Sequence, residues 1–239
     1  LSELMAAIVI SSANDACVAV AEHIGGSVDG FVGLMNGKAR ELGLDSTHVV
    51  NVHGLDDTPS GEGNLTTAHD LASMAQALLH HAQILEWSST RIRPFRDGNF
   101  TLYTTNKLLG RFRGLDGLKT GFTQRAGFNL VATAKRQDMR LISVVMGGRT
   151  EKHREKQSSQ LLSWGFNHFI KAPIAVAGEN VGSVTLDWGL VPEVSAVLID
   201  TVVAVLTAEQ RRRIKRDIEL PELYEAPITQ GDSIGTLQF

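Results

Sequence analysis

Several features are scarce in this chain of 239 residues, and each scarcity excludes a class of protein. A single cysteine, Cys17, rules out both a disulfide framework and a zinc cluster built on cysteines. The 23 Lys and Arg do not outnumber the 26 Asp and Glu, which argues against a nucleic-acid binder that must neutralise phosphates. No apolar run approaches the ~20 residues that a membrane-spanning helix needs. No internal repeat or low-complexity tract stands out.

What is present has the composition of an ordinary folded protein. Hydrophobic residues make up 43% and charged residues 21%, with a net charge of -3 and a mean hydropathy of -0.02. These values exclude a disordered tail, a collagen-like chain and a multi-span membrane protein. At roughly 100–200 residues per domain, the length predicts one large domain, alone or with a small one.

The first residues already follow a helical pattern. No initiator Met, basic segment or signal-peptide cleavage site precedes it. We therefore expect these 239 residues to be a piece of a longer protein.

Apolar residues at helical spacing predict three helical segments, at residues 2–24 (interrupted at 11–15), 27–43 and 68–81. Ser27 is the expected N-cap of the second segment, and Thr66 or Thr67 that of the third. A polar loop rich in Gly, Asp and Ser fills residues 45–64.

The apolar period then changes to that of strands. Three consecutive strands are predicted, at residues 114–123, 128–135 and 140–146. Their short connections imply an antiparallel meander. Thr150 caps a long helix that extends to about Ile170. The fold class is therefore α+β, with helices packed on an antiparallel sheet in a first domain over residues 1–171.

Lys171-Ala172-Pro173 marks a domain boundary. Beyond it, Gly, Pro and Asp separate short β-type runs at residues 175–177, 183–186, 197–206 and 234–239. These runs predict a small β-rich second domain over residues 174–239, and an incomplete end at Phe239 is one alternative.

Two short motifs carry chemistry. Ser12-Ala13-Asn14 is an S-x-N at the break between two helices, and Lys119-Thr120-Gly121 is a K-T-G inside a predicted strand. Each tripeptide alone is a weak signal. Their order, their contexts and their separation of about a hundred residues are more specific, because S-x-x-K, S-D-N and K-T-G form the motif set of penicillin-binding proteins and class A β-lactamases.

The residues around these motifs resemble the serine-type D-Ala-D-Ala carboxypeptidases, the low-molecular-weight penicillin-binding proteins of the DacA type. The resemblance extends over essentially the whole chain, through residues 12–19, 25–27, 52–56, 67–70, 116–121, 126–131, 146–150 and 234–239. It implies a transpeptidase domain like that of penicillin-binding proteins and β-lactamases, followed by a small all-β domain. It implies neither a cofactor nor a metal.

The resemblance assigns catalytic roles to Ser12, Asn14 and Lys119. An acyl-transfer enzyme needs a nucleophilic serine, a neighbouring base and groups that pass a proton to the leaving amine. The Ser12 hydroxyl can relay that proton, and the Asn14 amide can orient the peptide group of the substrate. Lys119 places a positive charge beside the substrate carboxylate and holds Ser12 in its relay position.

Thr120, Gly121 and Arg149 are the expected substrate-binding residues. Thr120 can donate a hydrogen bond to the substrate carboxylate, and Gly121 lets the strand backbone approach the peptide closely. The resemblance implies that Arg149 also binds the terminal carboxylate, a role that suits a bidentate guanidinium.

The S-x-x-K motif, which contributes the nucleophile and its base in the family, is missing from these residues. No serine lies three residues before any lysine, and the nearest match, Thr104-Thr105-Asn106-Lys107, stands on the wrong side of Ser12 for the family's order. In the family, S-x-x-K lies upstream of S-x-N. We therefore expect this polypeptide to be inactive alone, its nucleophile residing in a preceding segment.

Plainer interpretations exist for several of these residues. Ser12 and Asn14 are also common helix-capping residues, and a lysine such as Lys119 can protect an edge strand. Arg149 can merely flank the following helix. His53 and Cys17 are interpreted as a structural loop histidine and a small buried hydrophobe. The basic run at 211–216 is interpreted as a solvated face, with attraction to a membrane surface a minor alternative.

Three functions remain open. The first is a carboxypeptidase that trims peptidoglycan pentapeptide stems outside the cytoplasmic membrane, with β-lactams as acylating inhibitors and no nucleic-acid partner. The second is a class A-like β-lactamase, for which Glu62 occupies the expected region but lacks the E-x-x-L-N spacing. The third is a non-catalytic peptidoglycan-binding relative. For the first, the resemblance implies a periplasmic location and peripheral membrane association of the full-length parent.

Overall fold

The computed structural model describes residues 1–56 and 61–239. Within these residues the chain forms two compact units, Leu1–Gly165 and Phe166–Phe239. None of the helices in the described parts is both long enough and apolar enough to cross a membrane.

The described residues of the first unit contain six helices, of which α3 and α4 begin at residues whose side chains cap them. In chain order they are α1 (Ser2–Ser11), α2 (Asn14–Gly25), α3 (Val28–Glu41), α4 (Ala68–Leu78), α5 (Ala82–Ser88) and α6 (Glu151–His168), which leads out of the unit. The Ser27 Oγ accepts from the Gly30 amide at 3.0 Å, and Thr67 Oγ1 accepts from the Asp70 amide at 3.1 Å. These caps and the three predicted helical segments are confirmed, although α4 ends three residues before the predicted limit.

The predicted antiparallel meander is also confirmed. Strands β3 (Leu115–Thr123), β4 (Gly127–Arg136) and β5 (Met139–Gly148) form a sheet in the order β3-β4-β5. Among the described residues, strand β3 therefore pairs on one side only, with Lys119 opposite Val131 and Gly121 opposite Asn129. Before it, β1 (Ile92–Phe95) and β2 (Phe100–Tyr103) form a separate hairpin.

Neither α5 nor the β1–β2 hairpin was predicted. Both strands of the hairpin have only four residues, and its side chains Ile92, Phe100 and Tyr103 are exposed. Such short and exposed segments carry little of the apolar alternation by which strands are recognised. In the predicted polar loop, residues 57–60 lie outside the described residues.

A small apolar core holds the motif segment in place. Ala6, Ala7 and Ile10 of α1 are buried against Ala16 of α2, Trp87 of α5 and Leu102 of β2. The helix break after Ser11 is thereby fixed between three neighbouring elements, because close-packed interiors leave little room for adjustment.

The second unit consists of short strands and one short helix. Its elements are β6 (Phe169–Ala175), β7 (Asn180–Asp187), β8 (Glu193–Val197), β9 (Val202–Thr207), α7 (Ala208–Arg213), β10 (Asp217–Glu219), β11 (Leu223–Glu225) and β12 (Thr236–Gln238). They form sheets in the orders β11-β7-β8, β6-β9 and β10-β12. The predicted run at 197–206 is two strands, since only Val197 belongs to β8 and β9 begins at Val202. The exposed arginines of α7 fit the interpretation of a solvated face.

The residues expected at the domain boundary lie inside a strand. Lys171, Ala172 and Pro173 pair with Val205, Ala204 and Val203 of β9. The two units therefore divide earlier, after Gly165, and helix α6 ends at His168 rather than near Ile170. A Lys-Ala-Pro sequence is typical of a linker, but here its backbone hydrogen bonds with β9 place it in the second unit.

Candidate active site

Ser12 lies at the sharp turn between α1 and α2. Its backbone is left-handed, with φ 60° and ψ 43°, and its amide donates to the Ile8 carbonyl at 3.1 Å. Ala13 is extended, and Asn14 is the first residue of α2. The side chain of neither Ser12 nor Asn14 caps a helix, and both residues are exposed. The helix break therefore presents a hydroxyl and an amide at the surface.

Lys119 joins the two motifs. From the middle of β3 its Nζ donates to Ser12 Oγ at 2.8 Å and to the carbonyl of Thr120 at 2.8 Å. The side chain therefore crosses from the sheet to the helix break and holds the serine hydroxyl through a charge-assisted hydrogen bond.

Burial lowers the pKa of Lys119 to about 8, because removal from water penalises the ammonium form. The nearby Cys17 thiol opposes this shift, and the positive charge of Arg154 adds to it. Arg154 is itself buried on α6, with its guanidinium 5.8 Å from the centre of the Phe128 ring. At neutral pH Lys119 remains a cation that can lose its proton more easily than an exposed lysine.

Cys17 is half-buried in α2 and close enough to Lys119 to interact electrostatically. Burial raises the pKa of its thiol, Lys119 lowers it, and Asp15 raises it further, with burial the largest effect. A neutral thiol at this position agrees with the interpretation of Cys17 as a small apolar side chain, although it is less buried than expected.

Thr120 and Gly121 differ in their surroundings. Thr120 is buried, and its Oγ1 lies 2.6 Å from Thr105 Oγ1. Gly121 is exposed, and among the described residues a Cβ built on it would meet only Asn129 Cβ, at 4.0 Å. The packing of the described residues therefore does not require a glycine at 121, and a ligand could approach this part of the strand closely.

Arg149 is exposed directly after β5 and makes no hydrogen bond with Ser12, Lys119 or Thr120 in the described structure. Gly148 pairs with Phe128, which pairs with Phe122 of β3. At roughly 4.8 Å per strand, Arg149 starts about 10 Å from β3. It lines a shallow depression of about 500 Å³ together with Arg125, Phe122 and Phe128, and the two phenyl ring centres lie 4.2 Å apart at an interplanar angle of 33°.

Two residues that the sequence motifs do not predict, Thr105 and Asn106, hydrogen-bond β3 beside the K-T-G motif. Asn106 is buried, and its Nδ2 donates to the carbonyl of Gly117 at 3.3 Å. Both belong to the Thr-Thr-Asn-Lys segment, which is an imperfect match to S-x-x-K. A polar triplet directly before Leu108 and Leu109, which are both buried, is the signal that could have identified it.

His53 is a structural residue of the loop after α3. Its Nδ1 accepts from the amide of Leu55 at 3.2 Å, and its own amide donates to Asn51 Oδ1 at 3.3 Å. Both ring and backbone thus serve a local turn, as its interpretation as a loop histidine predicted.

A serine and an asparagine at a helix break, a lysine of lowered pKa and an open edge strand can together receive an extended peptide. A peptide aligned along β3 would gain main-chain hydrogen bonds from the strand edge. Its carbonyl and departing nitrogen would then lie near Ser12 and Asn14, where the Ser12 hydroxyl can transfer a proton.

Comparison with known proteins agrees with this geometry. Residues 1–150 match the D-alanyl-D-alanine carboxypeptidase family, and residues 169–239 match the penicillin-binding protein 5 C-terminal domain. The chain is 36% identical over 242 residues to the D-alanyl-D-alanine carboxypeptidase DacF of Bacillus subtilis, covering 99% of this chain and 61% of that protein. It therefore spans less than two thirds of that relative.

Solved structures show the same similarity. Penicillin binding protein 5 from Haemophilus influenzae has a TM-score of 0.74 at 32% identity, covering 99% of this chain and 68% of that one. Penicillin-binding protein D2 from Listeria monocytogenes, in its ampicillin-bound form, has a TM-score of 0.64 at 36% identity, covering 69% of this chain and 66% of that one. The predicted α+β architecture with an all-β C-terminal part is thereby confirmed, and the chain belongs to the D-alanyl-D-alanine carboxypeptidase family.

Proposed function

We propose that this chain is part of a serine-type D-Ala-D-Ala carboxypeptidase that removes the terminal D-Ala from peptidoglycan stem peptides and is acylated by β-lactams. The observation that carries this proposal is the 2.8 Å hydrogen bond from Lys119 Nζ to Ser12 Oγ, which links the S-x-N turn to the K-T-G strand. The ampicillin-bound relative supports the β-lactam part of the proposal.

In this reaction a serine hydroxyl gives its proton to a neighbouring base while its oxygen attacks the carbonyl carbon of the penultimate D-Ala. The C–N bond to the terminal D-Ala breaks, and the leaving nitrogen takes up a proton through the Ser12 hydroxyl, which Lys119 holds in place. Water then hydrolyses the acyl-enzyme and restores the serine. Asn14 orients the peptide group of the substrate during these steps, and Gly121 leaves room for it along β3.

Lys119, Thr120 and Arg149 bind the terminal carboxylate of the substrate. The ammonium group attracts the terminal carboxylate, and the Thr120 hydroxyl donates to it. Arg149 follows β5, at the opposite edge of the sheet from β3, and its long side chain can reach the same carboxylate when it turns toward β3. All these residues belong to the first unit, Leu1–Gly165, and we propose that the chemistry resides in that unit.

The nucleophile and its base are absent from these residues, since no Ser-x-x-Lys occurs in them. We therefore propose that they come from another part of the parent protein. The 239-residue polypeptide should form no covalent adduct with a fluorescent penicillin, whereas the product of the complete gene should. An adduct on the 239-residue polypeptide would contradict this assignment.

Two measurements on the complete gene product separate the remaining functions. A carboxypeptidase releases D-Ala from a D-Ala-D-Ala peptide and turns over nitrocefin only slowly. Rapid nitrocefin hydrolysis without release of D-Ala would indicate a β-lactamase instead. A product that has no Ser-x-x-Lys and binds peptidoglycan without either reaction would be a binding relative.

We further propose that the parent protein acts in the periplasm, at the outer face of the cytoplasmic membrane, with peripheral membrane association. The proposed substrate, the peptidoglycan stem peptide, is located in that compartment. Cell fractionation with an antibody against the chain tests this location, and recovery in the cytoplasmic fraction would contradict it.

A further inference from the structure

The segment Tyr103–Lys107, between β2 and β3, contacts both motif segments. On the helix side, Tyr103 donates its amide to Ser11 Oγ and accepts from the same hydroxyl at its carbonyl, each at 3.1 Å. The Thr105 amide donates to the carbonyl of Ile10 at 3.2 Å. Three hydrogen bonds thus fasten this segment to the last turn of α1, directly before Ser12.

On the other side the same segment is fastened to the K-T-G strand and to α6. Thr105 Oγ1 lies 2.6 Å from Thr120 Oγ1, and Asn106 Nδ2 donates to the carbonyl of Gly117 at 3.3 Å. Lys107 Nζ donates to Glu151 Oε2 at 2.7 Å. Thr105 therefore connects the two motif segments, because its amide hydrogen-bonds α1 and its hydroxyl hydrogen-bonds Thr120.

The hydrogen bond between the two threonines has two possible directions, and an anion would select one of them. A hydroxyl carries one proton and can also accept. When Thr120 donates to Thr105, its proton is occupied. When Thr105 donates to Thr120, the Thr120 proton is free to be donated to a ligand. A carboxylate can only accept, so its arrival favours the second direction, and the donated bond from Thr105 polarises the Thr120 hydroxyl further.

We propose that Thr105 is a positioning residue for carboxylate recognition, donating its hydroxyl proton to Thr120 so that Thr120 donates to the free C-terminal carboxylate of the substrate. This inference rests on the proposed function, in which Thr120 binds that carboxylate. It extends that function to specificity, because Thr105 then favours ligands with an ionised carboxylate over those in which this group is blocked.

A purely structural role for Thr105 would have a different signature. Loss of a brace between α1 and β3 would disturb the Lys119–Ser12 hydrogen bond as well, and every ligand would then react more slowly by a similar factor. Loss of the hydroxyl relay alone affects only ligands with a free carboxylate. The comparison of a carboxylic acid with its ester therefore separates the two roles.

The first test uses the complete gene product with Thr105→Val, which removes the hydroxyl and keeps the amide contact with Ile10. We expect the second-order acylation rate to fall about tenfold for a penicillin as its free acid, the effect of about one hydrogen bond. The rate for the methyl ester of the same penicillin should change less than about twofold. Thr105→Ser keeps the hydroxyl and should restore most of the preference for the acid.

Thr101→Val is the matched control. It introduces the same substitution at an exposed residue of β2, which pairs with β1 and not with β3. It should leave both rates unchanged. Equal losses with acid and ester in Thr105→Val, or no loss with either, would overturn the inference. A Thr105→Ser variant as impaired as Thr105→Val would overturn it too.

A second test does not depend on catalysis. The 239-residue chain is titrated with N-acetyl-D-alanine and with its amide, and the shift of the Thr120 amide signal is followed by NMR. The acid should bind more tightly, and Thr105→Val should remove most of that preference. If the complete gene product fails to acylate while this preference is present and depends on Thr105, the proposed function falls and the inference stands. If the chain shows no preference for the acid, the inference falls.

Discussion

Lys119 Nζ donates a 2.8 Å hydrogen bond to Ser12 Oγ across 107 residues of sequence. The bond connects a half-buried ammonium on an edge strand to a hydroxyl exposed at a helix break. Neither residue could adopt this relationship through local structure, because it requires α1 and β3 to be packed at a fixed distance. The segment Tyr103–Lys107, which is bonded to both, sets that distance.

Ser12→Ala and Lys119→Met should each reduce the release of D-Ala by the complete gene product by about 10²–10⁴-fold, the contribution of a positioned proton-transfer group. The double variant should be hardly worse than either single variant, because the two residues act as one unit. Steady-state rates with a D-Ala-D-Ala peptide provide the measurement. Lys135→Met, on the exposed face of β4, is the matched lysine control and should retain full activity. Additive losses in the double variant would argue for independent roles.

The lowered pKa of Lys119, about 8 in the folded chain, predicts a specific dependence of stability on pH. Between about pH 8 and pH 10.5 the unfolded chain still holds a proton that the folded chain has lost. The unfolded state then binds more protons, so the free energy of unfolding should rise with pH in this window. Urea unfolding of the 239-residue chain, compared with Lys119→Met, isolates the contribution. The free energy of unfolding of the wild type, minus that of Lys119→Met, should rise between pH 8 and pH 10.5. A decrease in that difference over this range would contradict the predicted direction.

The same titration should weaken carboxylate binding above about pH 8, because the positive charge beside the ligand is lost. The ratio of acylation rates for a penicillin acid and its ester, measured against pH, reports this loss. It should decline through a midpoint near pH 8 in the wild type and be flat in Lys119→Met. A midpoint above pH 10 would show that Lys119 is not desolvated in the working enzyme.

Gly121→Ala should separate function from folding. Within the described parts of the chain, its new methyl group meets only Asn129 Cβ at 4.0 Å, so the free energy of unfolding should change by less than about 1 kcal/mol. Acylation should fall at least about tenfold, because the methyl group occupies the space along β3 that the peptide needs. Gly117→Ala is the matched comparison. There the Cβ would lie 2.5 Å from Ser88 Oγ, and we expect a loss of about 1–3 kcal/mol in stability. Normal acylation by a folded Gly121→Ala variant would show that the ligand lies elsewhere.

Asp116→Ala should destabilise the three-stranded sheet. Arg140 of β5 forms two hydrogen bonds with Asp116 of β3, at 2.8 and 2.7 Å, and reaches Thr133 of β4 at 2.8 Å. The pair is about one quarter exposed, so solvent screens part of the interaction, and we expect a loss of about 1–2 kcal/mol in urea unfolding. Glu41→Ala, which breaks the exposed pair with Lys38, should cause no measurable change. Equal effects of the two substitutions would contradict a structural role for the bidentate pair.

Regular elements with strong patterns could be predicted from the sequence. Helices α2, α3 and α4 and the β3–β4–β5 meander have clear apolar periods, and Ser27 and Thr67 are caps whose chemistry is local. The β1–β2 hairpin and the pairing of Lys171 with Val205 could not be predicted. Their stability comes from contacts with distant residues, which leave little trace in a local window.

The residue types of the site were determined by the sequence alone: a single cysteine, an S-x-N at a helix break, a K-T-G in a strand and no Ser-x-x-Lys. Only the tertiary structure decided that Lys119 hydrogen-bonds Ser12 and that Thr105 hydrogen-bonds Thr120. It also decided that Arg149 lines a separate depression beside Phe122 and Phe128. The physical reason is that motifs reflect local backbone preference and chemistry, whereas distances between segments follow from how helices and strands pack together.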